Sequence, residues 1–190
     1  MPLQPVLQKE RVLLQPLTNQ DFDALYAVAA DPAIWAQHPS NDRWQEDVFR
    51  SFFAVALESK GAFLIFDKAS GEVAGSTRYY DYNEQESSVA IGYTFYATRY
   101  WGTGFNPAVK RLMLDHAFQY VNTVFFHVGA TNVRSQIAMG RVGALKVGEM
   151  DFAPVGSVPK PYFLYAIQRA DYEEQRKDAG LPARQDHQQP

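Results

Sequence analysis

Cysteine is absent from the 190-residue chain, which excludes a disulfide scaffold, a thiolate zinc site and a cysteine nucleophile. Long apolar runs are missing as well. No stretch approaches the ~20 residues needed to cross a bilayer, and Met1-Pro-Leu-Gln-Pro5 lacks the basic segment and apolar run of a signal peptide. The expectation is a cytoplasmic protein with no membrane partner. Nor is there an excess of one charge: 18 basic residues stand against 21 acidic ones, for a formal net charge of −3. Without a basic stripe, a nucleic-acid partner is not expected. The histidines His38, His116, His127 and His187 fall at no metal-ligand spacing, so no metal is expected. What the chain has in plenty is aromatic side chains, at 14%, enough for an aromatic-rich core or a ligand groove.

Periodicity and punctuation suffice to divide the chain into elements. Residues Val6 to Leu17 read as extended. Thr18, with Asp21 three residues on, then forms an imperfect capping box for a helix over Asn19 to Ala29. Asp31-Pro32 breaks that helix, and Ile34 to Asp42 reads as an irregular loop or short helical turn. Phe49, Phe52, Phe53, Ala56 and Leu57 mark one face of a second helix from about Trp44 to Ser59. Three strands follow, over Phe63 to Asp67, Val73 to Tyr80 and Ser88 to Tyr96. Polar turns at Lys68 to Gly71 and Asn83 to Glu86 join them. A glycine-bearing loop, Ala97 to Phe105, leads into a helix with Asn106 as its cap and Pro107 at the first position, where proline is favoured. Val109, Leu112, Met113, Ala117 and Phe118 form its buried stripe. A near-continuous apolar strand at Val124 to Ala130, a short helix at Val133 to Val142, and strands at Leu145 to Phe152 and Tyr162 to Arg169 complete the order. One domain over residues 1–170 is expected, an α+β fold with a mixed sheet and helices on both faces. Residues 171–190 read as a polar tail, a helical turn or two and then disorder.

The segment with most chemical content runs from Tyr93 to Pro107. A strand enters a short loop bearing Gly102 and Gly104, and the loop enters a helix directly. Amides at a helix start are unpaired and lie at the positive end of the helix dipole, while glycines let the backbone come close to a ligand. Such a start can cradle a diphosphate with few basic side chains. Pro107 removes one donor and leaves the amides of Gly102 to Asn106. The same two glycines also fit a plain chain reversal. Neither a Walker A ending nor a three-glycine dinucleotide fingerprint is present.

Arg99-x-x-Gly102-x-Gly104 resembles the acetyl-CoA-binding pattern of the GNAT N-acetyltransferase superfamily. Ile91-Gly92-Tyr93 upstream, Trp101-Gly102 in the loop, Ala117-Phe118, then Asn132-x-x-Ser135 and Arg141-Val142-Gly143-Ala144 follow in that family's order. The ensemble is similar to the branch containing the ribosomal-protein N-terminal acetyltransferases and covers roughly Val12 to Arg169. The resemblance implies the GNAT fold, a splayed central sheet with acetyl-CoA in the gap. The diphosphate would lie on the loop of Arg99, Trp101, Gly102, Thr103, Gly104, Phe105 and Asn106, and the pantetheine along Phe95 and Tyr96. Asn132 would bind the pantetheine, Ser135 would sit near the sulfur, and a homodimer is implied by relatives.

The implied reaction is direct acetyl transfer to a primary amine, either a protein N-terminus or a small molecule, with no nucleophilic side chain. A main-chain N–H near Phe95 or Tyr96 is the candidate for the developing oxyanion. Ser135 is the candidate acid for the leaving thiolate, with Tyr96 and other tyrosines as competing hydroxyls. Where relatives carry Glu before Ile-Gly-Tyr, this chain has Ala90. Glu86, Glu84, Asp81 and Glu149 are the remaining candidate bases. Trp35, His38 and Tyr80 are the candidates for the acceptor pocket. Arg99, Lys110 and Arg134 are candidate phosphate partners. The missing glutamate also fits a second reading, a non-catalytic acyl-CoA-binding or sensor protein.

Overall fold

The computed structural model describes residues 1–153 and 158–180. Eight strands form one sheet in the order β1-β2-β3-β4-β5-β6-β8-β7. The extended segment after Val6 is a hairpin rather than a single strand, β1 (Leu7–Lys9) against β2 (Val12–Pro16). Glu10, at φ 47, makes the reversal, a left-handed turn residue of a type that sequence alone does not signal. The Asp21 carboxylate accepts from the Thr18 amide at 2.7 Å and from its hydroxyl at 2.8 Å, and a 3-10 turn at Asn19–Asp21 opens into α1 (Phe22–Ala29). Asp31 caps the four-residue α2 (Pro32–Trp35) by accepting from the Ala33 amide. The longer α3 (Glu46–Glu58) buries Phe49, Phe53 and Ala56. Strands β3 (Ala62–Asp67), β4 (Glu72–Asn83) and β5 (Ser88–Tyr96) form an antiparallel meander.

The strands alternate between two cores. Along β3, Phe63 and Ile65 join a cluster with Val109 and Met113 of α4 (Phe105–Ala117), while Ala62 and Leu64 join a cluster with Leu25 of α1, Trp35 of α2 and Phe49 of α3. The period of two along a strand therefore puts α1–α3 on one face of the sheet and α4 on the other. Beyond α4 come β6 (Thr123–Gly129), α5 (Val133–Arg141), β7 (Leu145–Phe152) and β8 (Lys160–Gln168). The final helix, α6 (Arg169–Asp178), crosses the expected tail boundary at residue 171. Tyr172 is 4% exposed and its hydroxyl donates to Asp115 at 2.9 Å, with Arg176 on the same carboxylate. Residues 171–178 are thus docked on the domain, and residues 181–190 lie outside the described part. No described helix is long and apolar enough to cross a membrane.

Two features of β5 position the site. It pairs with the parallel β6 only from Ser88↔Thr123 to Ala90↔Phe125, and past that point the two strands part. On its other edge the register to β4 shifts between Ser76↔Phe95 and Arg78↔Gly92, with Tyr93 at φ 52. A bulge of this kind bends a strand and re-aims its side chains. The sheet opens where the bulge lies.

Candidate active site

The opening between β5 and β6 is a cleft of about 260 Å³. Its walls are β5 from Ile91 to Tyr96, β6 from Phe126 to Gly129, the start of α4, the start of α5, and Ile34, Trp35, His38 and Arg43 from the α1–α3 side. Among the described residues no carboxylate lines it, whereas Arg43, Lys110, Arg134 and Arg141 do. The cleft is built for anions.

At one end lies the glycine loop. Gly102 and Gly104 adopt φ values of 73° and 80°, and a Cβ added to either would meet nothing within 4 Å. Their conformation, together with open space above them, is what a ligand cradle requires and a packed turn does not. No described acceptor takes a hydrogen bond from the N–H groups of Gly102, Thr103, Gly104, Phe105 or Asn106. The cap of α4 is Gly104, not Asn106, and Pro107 is the third helical residue. Its missing N–H still falls in the first turn, where no intrahelical acceptor exists. Asn106 is used otherwise: its Oδ1 accepts from the Tyr96 hydroxyl at 3.0 Å. This ties the Tyr96 hydroxyl to the loop–helix junction, and burial raises its pKa, so the hydroxyl stays protonated.

Several other expected site residues stand elsewhere. The Arg99 side chain points out to Glu72, 3.2 Å away, and is 53% exposed. Phe105 is packed in the core against Tyr100, and the Thr103 hydroxyl donates to the Tyr100 carbonyl. Glu86 lies exposed on the β4–β5 turn, at the end where the strands are still paired, and does not line the cleft. Glu84 shares that turn, Asp81 is exposed on β4 beside Tyr80, outside the cleft lining but close enough for its charge to act on His127, and Glu149 is ion-paired to Lys146. None of these four carboxylates lines the cleft.

Other candidates converge there. Trp101 lines the cleft, with the Arg134 guanidinium 3.9 Å above its ring. Asn132 caps α5, its Oδ1 accepting from the Ser135 amide at 3.1 Å, and both residues line the cleft. Phe95 and Trp35 pack together with ring centroids 4.9 Å apart and floor the α1–α3 side of the cleft. His38 Nε2 accepts from Arg43 Nη1 at 3.3 Å. Burial, and then the Arg43 charge, push its pKa down to about 3, so the ring stays neutral. Tyr80 is one layer back, its hydroxyl 2.7 Å from His127 Nδ1, and His127 lines the cleft.

Sequence reasoning missed His127, Arg43 and Arg78 as site residues, and misplaced Lys110. Lys110 Nζ donates to Thr94 Oγ1 at 2.7 Å and lies 5.8 Å from the Phe126 ring, spanning the gap on the α4 side. Burial lowers its pKa from 10.5 to about 7. Its place in the second turn's inward stripe was legible as i+3 from Pro107, but a lysine there reads as a surface charge.

A family model described as an acetyltransferase (GNAT) domain matches residues 11–145. The chain belongs to the GNAT acetyltransferase family. Solved structures of the same fold include a probable GNAT acetyltransferase from Chromobacterium violaceum, with 20% identity, 88% and 87% of the two chains covered and a TM-score of 0.77. Mycobacterium smegmatis RimJ in complex with CoA-disulfide is similar at 19% identity over 89% of each chain, with a TM-score of 0.69. A spermidine N-acetyltransferase chimera from Vibrio cholerae is similar at 16% identity, covering 86% of this chain and 98% of its own, with a TM-score of 0.66. GNAT members use acetyl-CoA, and the free amides and cationic walls described above fit that co-substrate.

Proposed function

We propose that this protein transfers the acetyl group of acetyl-CoA directly to a primary amine. The observation that carries the proposal is the row of unpaired amides from Gly102 to Asn106, opening into the gap where β5 leaves β6. Those amides would hold the diphosphate, with Arg134 and Arg141 adding charge. When bound, acetyl-CoA supplies an activated thioester. The chain's own groups then have three tasks.

The first is to polarise the carbonyl. The Ala97 N–H donates to Ala74 O at 2.9 Å, and successive strand amides point to opposite edges, which turns the Tyr96 N–H toward the cleft. The second is to remove a proton from the amine. His127 is the candidate: with Nδ1–H donated to Tyr80, Nε2 is free to accept. Burial holds the His127 pKa below its usual 6.5, so the ring is neutral at pH 7. The third is to protonate the thiolate, for which Ser135 at the start of α5 is suited. Lys110 donates to Thr94 on the cleft floor, and burial brings its pKa down to about 7, so near pH 7 it is present in both charged and neutral forms.

The test is thiol release from acetyl-CoA across a panel of primary amines. Amine-dependent release well above background hydrolysis is expected. The absence of carboxylates from the cleft also supports a CoA-binding sensor, and a panel in which no amine exceeds background would favour it. Neighbours named for a ribosomal protein and for spermidine share the fold, so the fold leaves the acceptor open.

A further inference from the structure

On the α3 side of the bulge, beyond Tyr93, lies a second cavity of about 380 Å³ that shares Arg43 and Tyr93 with the cleft. Two arginines reach into it, Arg43 at 6% exposure and Arg78 at 3%. Their guanidinium carbons lie 4.5 and 5.6 Å from the centroid of the same Phe52 ring, and Arg78 lies 4.1 Å from that of Tyr93. Neither forms an ion pair with any described residue. Arg78 Nε is buried with no hydrogen-bond partner among the described residues, and the Arg43 guanidinium is hydrogen-bonded to neutral His38. Asp42 and Lys160 also line the cavity, but Asp42 is exposed and Lys160 donates to the Pro39 carbonyl.

Two buried like charges without a counter-ion are a costly arrangement. Desolvation, with the Arg43 charge contributing, lowers the Arg78 pKa to about 10. The aromatic faces of Phe52, Tyr93 and Trp35 offset part of the cost, yet a stable fold would do better with apolar residues at both positions. Buried charge that the fold does not need is typically kept for a ligand. The planar five-donor fork of arginine matches a carboxylate in particular.

We infer that the acceptor amine carries its own carboxylate, as a free α-amino acid does, and that Arg43 and Arg78 hold this group while Tyr93 separates it from the thioester end of the cleft. This inference rests on the acetyltransferase reading for the identity of the second substrate, but not for the existence of the anion site. It distinguishes a free amino acid from a peptide N-terminus, in which the same carbon bears a neutral amide. The carboxylate is expected to fix the amine in the cleft, so that losing it raises KM much more than it lowers kcat.

The experiment has two arms. In the first, acetylation of free α-amino acids is compared with that of the corresponding amino-acid amides and decarboxylated amines, for the wild type and for Arg78→Met and Arg43→Met. The free acids should be preferred by 10- to 100-fold or more in kcat/KM, and either variant should erase the preference through KM. Arg78→Lys should restore only part of it, since lysine lacks the fork. The second arm does not depend on turnover: N-acetylated amino acids and their amides are titrated into the CoA-saturated protein by calorimetry or NMR. The acid should bind and the amide should not, with Arg78→Met abolishing the difference while CoA affinity stays as in the wild type. Arg78→Met should also melt at the same temperature as wild type or higher, which excludes misfolding as the cause of a loss. Amides and decarboxylated amines turned over or bound as well as acids would overturn the inference, as would an acid preference unchanged in both arginine variants. A panel with no turnover but Arg-dependent binding of the acid would sink the acetyl-transfer reading and leave the anion site standing.

Discussion

The two ends of the cleft are made of different material. At the α4 end, recognition is assigned to the main chain: glycines in left-handed conformation, open space where a Cβ would go, and a row of amides without acceptors. At the α3 end and in the second cavity that adjoins it, it is assigned to side chains, two buried guanidinium groups clasped by aromatic rings and one imidazole on β6. A main-chain site needs only a turn of the right shape and tolerates most neighbours. A side-chain site can change its ligand by single substitutions. On the proposed reading, the co-substrate would be held by backbone and the acceptor by side chains.

The contrast is most strongly tested at Gly104. Gly104→Glu places a side chain in the cradle and a carboxylate where a diphosphate would sit. CoA affinity should fall by more than ~100-fold, at a stability cost of about 1 kcal/mol for a non-glycine residue at φ 80°. Calorimetry with CoA and a thermal melt would measure both, and unchanged affinity would contradict the main-chain assignment. His127→Gln, which retains a polar partner for Tyr80, should lower kcat by ~100-fold. In the wild type the rate should decline in acid through a pKa below 6.5, because the lowered His127 pKa keeps the ring unprotonated until then. The variant should lack that limb of the profile.

Lys110 joins the two ends and gives a smaller effect. Its pKa falls from 10.5 to about 7 on folding, so between these values the unfolded chain holds a proton that the folded one has shed. Stability should therefore rise with pH through that window and be flat on either side. Lys110→Met should remove the slope and be about 1–3 kcal/mol more stable at pH 7, as judged from denaturant midpoints across pH. A slope that survives the substitution would assign it to another group. The smallest effect is predicted for Arg99→Ala. An exposed pair with Glu72 contributes little, so stability should change by about 0.5 kcal/mol or less and CoA affinity by less than about twofold. A large loss of affinity would return the recognition to side chains.

Much of the fold was legible because it depends on local rules. The Thr18–Asp21 capping pair, the apolar stripe of α4 and the turn at Lys68 to Gly71 stand where periodicity puts them. The β1–β2 hairpin was not legible, because Glu10 supplies a positive φ without glycine or asparagine to announce it. The cap of α4 was displaced by two residues for a similar reason: Asn106 is a good capping residue, but Gly104 alone takes the left-handed geometry and frees Asn106 for Tyr96. Helix α6 looked like a solvated tail, since its hydrophobic anchor is the single residue Tyr172 and its polar anchor, Asp115, is 57 residues away.

By itself the sequence determined the order of elements, the absence of any thiol chemistry and the glycine loop that leads into a helix, because each depends on neighbours within a few residues. Which charges are buried was decided by tertiary structure alone. Arg43 and Arg78 lie on different elements and meet over one phenylalanine ring, while Glu86 and Arg99 turn outward. Burial is a property of packing, and packing brings together residues that no local pattern connects.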